Sequence, residues 1–458
     1  MFGHLNYYFT VEPLKKIILY IPTSKVAKEY TELFPFDELN NHYELTYLYG
    51  KPIFHNGENQ YSQILFSDFT RKMHAFLHRS LLWYRKFSSL SYTLRAFQYF
   101  GLKKDYEETS NFLVYNGKRH KIIFRLLVYL FGNYFGIKIL HHFLTLIFRL
   151  EHLKLKQIFS EDIACVIIPY GGGVSLEFDY IVWACKKNNI KSVAIQENWD
   201  NLSSKSLLLN HPTHFMTWGS QSSSHLRSIQ KYRGSIKEIG SLRMNSLFNY
   251  RDTNLKNLET RNDIESTFRI LIIGTGPATH DLKLVQYISS YLLSNSNLNY
   301  EIYFRPHPYF KNSEFSLKQV SEMNNVSTFI PLGNEKNIDR MNQILSCSVI
   351  VGLYSTVILE ASILNKPCVI PSFIAPNLGY ETYNFLNDLT HYAGISALEN
   401  IHNAKSQDEF WSILGKIKNL NSIQSNNSKM LEWFCKNTNT SNGIVNYIQT
   451  LNNNRQIE

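Results

Sequence analysis

Apolar residues fall in short blocks along this chain, and runs of helical period separate the blocks. Lys16–Ile21 is a short apolar strand, Lys25–Phe34 carries a helical pattern and Tyr43–Tyr49 is again a strand, so the chain opens as βαβ. From about Phe66 to Phe159 apolar residues recur at three and four, as in Phe76, Leu77, Leu81, Leu82 and Tyr84, which predicts a mostly helical stretch. Alternation then resumes. Strands are predicted at Ala164–Pro169, Ser192–Gln196, His214–Trp218 and Ile236–Ile239, with helices at Val174–Lys187 and Gln221–Lys231. Asp252–Asp263 is polar and reads as a linker. A second series follows, with strands at Phe268–Ile273, Tyr300–Phe304, Val326–Ile330, Val349–Val351 and Cys368–Ile370. Strands that alternate with helices imply parallel, doubly wound sheets. In such sheets ligands sit at the carboxyl ends of the strands.

The length of 458 residues suits two domains of roughly 200 residues rather than one core. The expected architecture is α/β, with two Rossmann-like domains facing across a cleft. Residues 1–251 form the first, with a helical basic insertion at about 66–160. Residues 264–435 form the second, and 436–458 a tail that could pack back on the first. A hydrophobic fraction of 44% and a charged fraction of 18% exclude a disordered chain.

Charge and cysteine usage narrow the classes further. The net charge is +10, yet residues 71–160 hold about 16 Lys/Arg against about 4 Asp/Glu, so the rest of the chain is close to neutral. This basic block is rich in Phe, Leu, Ile and Tyr, which suits an anionic membrane surface. It has no nucleic-acid recognition motif, so nucleic acid is not an expected partner. The apolar stretch around Ile122–Phe148 is interrupted by Arg125, Asn133, Lys138, His141 and His142, so no spanning helix is expected. It reads as a core helical hairpin or as a helix lying in the membrane interface. Met1–Glu12 lacks a basic start followed by an apolar run, and the expected location is cytoplasmic. The five cysteines show no C-x-x-C pair and read as buried thiols, and no Cys/His cluster has structural-zinc spacing along the chain.

Four segments could carry chemistry. Arg305-Pro306-His307-Pro308 follows a strand end, and the prolines stiffen a loop that could aim Arg305 and His307 at an anion. The same residues also fit an ordinary strand–loop corner. Gly352-Leu-Tyr-Ser355-Thr356 leads from a strand into a helix opening at Ser355 or Thr356, and Glu360 lies further along that helix. A hydroxyl at a helix N-terminus is either a cap or an anion site, and after a glycine-terminated Rossmann strand phosphate binding is favoured. Gly274-Thr275-Gly276 is a short glycine-rich turn without a complete dinucleotide fingerprint or a Walker lysine, which argues against NAD or ATP. In the first half, Glu197, Trp199, Asp200 and Asn201 follow a strand, with Lys205 close behind. Two carboxylates there suggest an acceptor site with a general base, Asp200 or Glu197.

Arg305-Pro-His307-Pro, Gly352-Leu-Tyr-Ser355-Thr356-x3-Glu360-Ala and Asn365-Lys366-Pro367 together resemble the C-terminal domain of GT-B surface-polysaccharide transferases. They are most similar to the CDP-glycerol glycerophosphotransferases and the capsule polysialyltransferases, with their His-Pro and Ser-Ser/Thr motifs. Gly240-Ser241-Leu242-Arg243 looks like the Gly-Ser-x-Arg that closes the N-terminal domain in related proteins. The resemblance spans roughly residues 164–373. It implies a GT-B fold, donor phosphate on Arg305, His307, Ser355 and Thr356, Glu360 toward the ribose, and Arg243 in the cleft. The glycerophosphotransferases carry Trp-His-Gly where this chain reads Trp199-Asp200-Asn201, a departure that favours sugar transfer over alditol-phosphate transfer.

The expected function is therefore an inverting glycosyltransferase in bacterial surface-polysaccharide assembly. Its donor would be a CMP-, CDP- or UDP-linked sugar and its acceptor a lipid-linked or oligosaccharide glycan. No cofactor and no metal are expected, since no Asp-x-Asp diad is suitably placed. The alternatives are an alditol-phosphate transferase, a sugar-nucleotide epimerase or hydrolase, and a non-catalytic glycan-assembly protein.

Overall fold

The computed structural model describes residues 14–50, 62–63, 66–88, 127, 129–152, 159, 162–171, 175–205, 207–258, 267–274, 278–295, 299–306, 318–329, 337–373, 390–419, 428–437 and 439–453. The first sheet is built from β1 (Lys16–Ile21), β2 (Glu44–Tyr49), β3 (Ser62–Gln63), β4 (Ile163–Tyr170), β5 (Lys191–Gln196), β6 (His214–Thr217) and β7 (Ser235–Glu238). Its order is β3-β2-β1-β4-β5-β6-β7 and every pairing is parallel. The second contains β8 (Phe268–Ile273), β9 (Tyr300–Arg305), β10 (Val326–Thr328), β11 (Val349–Val351), β12 (Cys368–Pro371) and β13 (Ile401–Ala404). It runs β10-β9-β8-β11-β12-β13, again all parallel. Both orders are the doubly wound Rossmann order, so each sheet has a switch point where the chain reverses its direction of winding. These points lie between β1 and β4 and between β8 and β11.

Helices cover both faces of each sheet, which explains why a central strand such as β4 is apolar throughout and buried at all eight positions. On the first sheet, one face packs against α3 (Asp68–Ser88), α4 (Tyr134–His152) and α5 (Leu176–Lys187). Its other face packs against α1 (Ser24–Leu33) and the segment through α2 (Phe36–Asn40). After β6 comes α6 (Ser220–Ser228), and after β7 comes α7 (Leu242–Leu258). On the second sheet, α8 (Ala278–Ser294) and α11 (Gln407–Asn419) cover one face. Helices α9 (Asn337–Leu345), α10 (Thr356–Ile363) and α12 (Ser428–Phe434) cover the other. The last helix, α13 (Thr440–Asn453), returns to the first sheet. Its Ile444, Val445, Ile448 and Leu451 join Ile17, Leu19 and Ile167 in one core, and Tyr447 meets His214 at 3.0 Å.

Three differences from the sequence reading have physical reasons. The first part of the polar segment expected as a linker, through Leu258, is helical, because α7 continues to that residue. The helix is anchored by Met244, Leu247 and Phe248, which precede the polar window and are buried against the second sheet. Strand β13 escaped notice because it has four residues, two of them polar. Finally, the turn after β5 contains a π-helix at Asn201–Lys205, a geometry that local pattern does not announce. The helical stretch expected at 66–159 is present as α3 and α4, and its middle lies outside the described residues.

Candidate active site

The carboxyl ends of β8, β9 and β11 converge at the second switch point. Gly274 follows β8, and its N–H donates to the Arg305 carbonyl at 2.7 Å. Gly352 follows β11 so closely that a Cβ there would lie 2.5 Å from Ile273 Cγ1 and 2.9 Å from the Ile273 carbonyl oxygen. Only a glycine lets these two strand ends approach. Ser355 is the N-cap residue of α10 and Thr356 the first residue of the helix, as the sequence predicts. The Ser355 side chain makes no cap hydrogen bond, and its hydroxyl is buried without a partner. The α10 terminus therefore offers a free hydroxyl beside helix-end N–H groups, at the place where this fold binds ligands.

Two other donor-side residues are engaged with protein groups. Arg305 ends β9, is 6% exposed, and donates from its guanidinium to Gln343 on α9. Glu360 is 2% exposed and lies between two arginines. Arg340 Nε donates to Oε2 at 2.8 Å, and Arg243 Nε stands 3.4 Å from Oε1 without hydrogen-bond geometry. Thr275, Gly276 and His307 lie outside the described residues.

Arg243 is the link to the first domain. It opens α7 beside Gly240, whose φ of +80° is open to glycine but strained for other residues. From there the guanidinium reaches Glu360 on α10 and, at 3.9 Å, Glu29 on α1. One side chain thus ties helices from both domains.

The acceptor-side residues divide sharply. Glu197 at the end of β5 accepts a 2.6 Å hydrogen bond from the Tyr30 hydroxyl. Burial first, and then the neighbouring Glu197 charge, push the Tyr30 pKa well up, so the phenol stays a donor. Glu29, Tyr30, Gln196, Glu197, Ser241 and Arg243 line a cleft against the ends of the first sheet. Trp199 and Asn201, by contrast, are not on the cleft wall. Trp199 is 1% exposed, donates to Gln221 at 2.7 Å, and packs edge-on against His391, Tyr392 and Phe434. Asn201 is fully buried and donates to the Tyr170 carbonyl. Both are interior groups that fix the turn after β5. Asp200 lies near Tyr392, whose pKa is raised by burial and then by the Asp200 charge. Lys205 belongs to the π-helix.

Sequence reasoning missed Tyr30, Glu29, Gln196 and Arg340. The Gln196 amide donates to the carbonyls of Asn198 at 2.9 Å and Trp199 at 3.3 Å, and its oxygen accepts from the Trp218 N–H. A polar residue ending a buried strand was the available signal for it.

Comparison with solved structures identifies the architecture. A putative UDP-N-acetylglucosamine 2-epimerase from Listeria monocytogenes superposes with a TM-score of 0.50 at 11% identity, over 96% of each chain. The fold is of GT-B type. The UDP-GlcNAc 2-epimerase of Methanocaldococcus jannaschii follows with a TM-score of 0.49, 10% identity, and 95% and 99% of the two chains covered. A wall teichoic acid polymerase gives 0.44, 12%, 96% and 90%. Identities this low speak to the fold alone. No protein family and no curated protein matches the sequence. Among the described residues, no helix is long and apolar enough to cross a membrane.

Proposed function

We propose that this chain is a nucleotide-sugar-dependent, inverting glycosyltransferase that acts in bacterial surface-polysaccharide assembly. One observation carries the reading: the unpartnered Ser355 hydroxyl at the α10 terminus, at the second switch point. The donor diphosphate takes the α10 terminus. Ser355 and Thr356 donate to it beside the Gly274 backbone, and His307, which lies outside the described residues, is expected on the same side. Developing negative charge on the leaving nucleotide is stabilised by the helix dipole and free N–H groups, so the reaction requires no metal.

Glu29 and Glu197 are both carboxylates of the cleft, and we assign Glu197, which follows the end of β5 and is held by the Tyr30 hydroxyl, as general base ahead of Asp200. It removes the proton from the acceptor hydroxyl as that oxygen attacks the anomeric carbon, and the sugar–phosphate bond breaks on the opposite face. Tyr30 holds the carboxylate in place. Arg243, near both Glu29 on α1 and Glu360 on α10, supports a fixed register between the two halves. Incubation with CMP-, CDP- and UDP-sugars and a glycan acceptor tests this reading. Elongated glycan with inverted anomeric configuration supports it. Free sugar or an epimerised nucleotide-sugar without elongation replaces it with the epimerase or hydrolase reading.

A lipid-linked acceptor places the enzyme at the inner membrane surface. The support is α4, which buries Leu140, Leu144 and Phe148 while exposing Phe135, Ile139, Phe143, Leu146 and Leu150 along its other side. The surrounding segment is strongly basic. An apolar helix face flanked by cations fits the interface of an anionic bilayer. Flotation with anionic liposomes at low salt, lost at high salt, is the expected result. A chain that stays in the soluble fraction contradicts the attachment.

A further inference from the structure

One cluster of chemistry-bearing side chains has no part in the cleft. His74 and His78 stand four residues apart on α3, so their imidazoles leave the same side of the helix. Asp179 on α5 faces them. His74 Nε2 lies 2.7 Å and His78 Nε2 3.2 Å from the same oxygen, Asp179 Oδ2. One ligand atom from each residue falls within 4.8 Å of the others, and each of the three is 3% exposed. The carboxylate is fixed from behind. Its second oxygen accepts the Asn210 N–H at 3.1 Å, and the Asn210 amide donates to the Asp179 carbonyl at 3.0 Å. The Asn210 side-chain oxygen in turn meets His141 Nε2 at 3.3 Å.

A carboxylate this deep in the protein needs a positive partner. The compensating charge is then a proton held by the pair or a cation held by all three. Two imidazoles and one carboxylate are a zinc-type donor set. Tetrahedral zinc with ligand bonds of about 2.0 Å sets neighbouring donors about 3.3 Å apart, close to the His78–Asp179 separation and somewhat wider than the His74–Asp179 one. Asn210 supplies the outer hydrogen bonds that orient a ligating carboxylate.

We propose that His74, His78 and Asp179 bind one structural transition-metal ion, zinc by chemistry, with water in the fourth position. The ion staples α3 of the helical segment to α5 of the first sheet. It stands apart from the reaction, which remains metal-independent. The His74-x3-His78 spacing marks only half of the site, because Asp179 lies 105 residues from His74.

The test uses the full chain, purified without chelator and analysed for metal, then stripped and titrated with Zn2+ and Co2+. One equivalent of zinc per chain, the visible absorption of four-coordinate cobalt, and a zinc-dependent rise in Tm are expected. His78→Gln should lose the metal, and Asn210→Ala should weaken zinc binding by about 10- to 100-fold. Nucleotide affinity of the zinc-free chain should be unchanged, which separates this site from the proposed activity. Sub-stoichiometric metal with no cobalt spectrum in the natural chain overturns the proposal, as does a His78→Gln chain that retains its metal. Either result makes the trio a proton-holding hydrogen-bond cluster.

Discussion

The two sheets share one winding order, yet they treat their switch points differently. In the first, the helices that follow β1 and β4 are closed by their own hydroxyls. Thr23 accepts from the Val26 N–H at 3.3 Å to cap α1, and Ser175 accepts from the Phe178 N–H at 3.1 Å to cap α5. In the second, Ser355 occupies the same structural position before α10 and makes no cap bond. An ordinary cap returns about 1 kcal/mol of stability. Forgoing it and burying the hydroxyl bare is a local cost, and such costs collect where a ligand will supply the missing partner. Topology makes both sheets eligible for a phosphate, and the open helix terminus is the reason the second is proposed.

The largest expected effect concerns the other side of the cleft. Glu197→Gln should cut turnover by about 10²-fold or more while leaving nucleotide affinity intact, since general-base catalysis typically contributes 10²–10⁴-fold. Asp200→Asn should cost much less. Steady-state kinetics alongside nucleotide titration checks both, and the reverse ranking would return the base to Asp200.

Ser355→Ala and Ser175→Ala sharpen the contrast, because the same substitution should act on different observables. At 355 a hydrogen bond to a charged phosphate is lost, worth about 1.5–3 kcal/mol, or roughly tenfold or more in nucleotide affinity. Unfolding stability should barely move there. Between these two in size lies Gly352→Ala. Its Cβ would press on the Ile273 backbone and should cost about 1–3 kcal/mol of stability while narrowing the phosphate site. Smallest is Ser175→Ala, which should cost about 1 kcal/mol of stability and leave nucleotide affinity unchanged. Denaturant unfolding and calorimetric titration of the three variants would break the comparison if 175 and 355 behaved alike.

Much of this contrast was legible in the sequence, and the reason is local. Strand β4 was placed to within one residue at each end because burial on both faces makes it continuously apolar. The start of α10 was placed because a strand, a glycine and a hydroxyl pair stand in order within a few residues. What escaped depends on contacts distant in the chain. Tyr30 reaches Glu197 across 167 residues, and Arg243 joins two carboxylates from different domains. Trp199 misled for a related reason. An indole in a polar turn reads as exposed, whereas His391, Tyr392 and Phe434 arrive from the far end of the chain to bury it.

The account's central claim is that a nucleotide diphosphate takes the open terminus of α10. Calorimetric titration of CMP, CDP, UDP and their sugar conjugates into the natural chain and into Ser355→Ala, without added divalent metal, tests it most directly. The account predicts that at least one of these nucleotides binds the natural chain and that its affinity falls about tenfold in the variant. Binding by none of them, or equal affinity for both proteins, would contradict it.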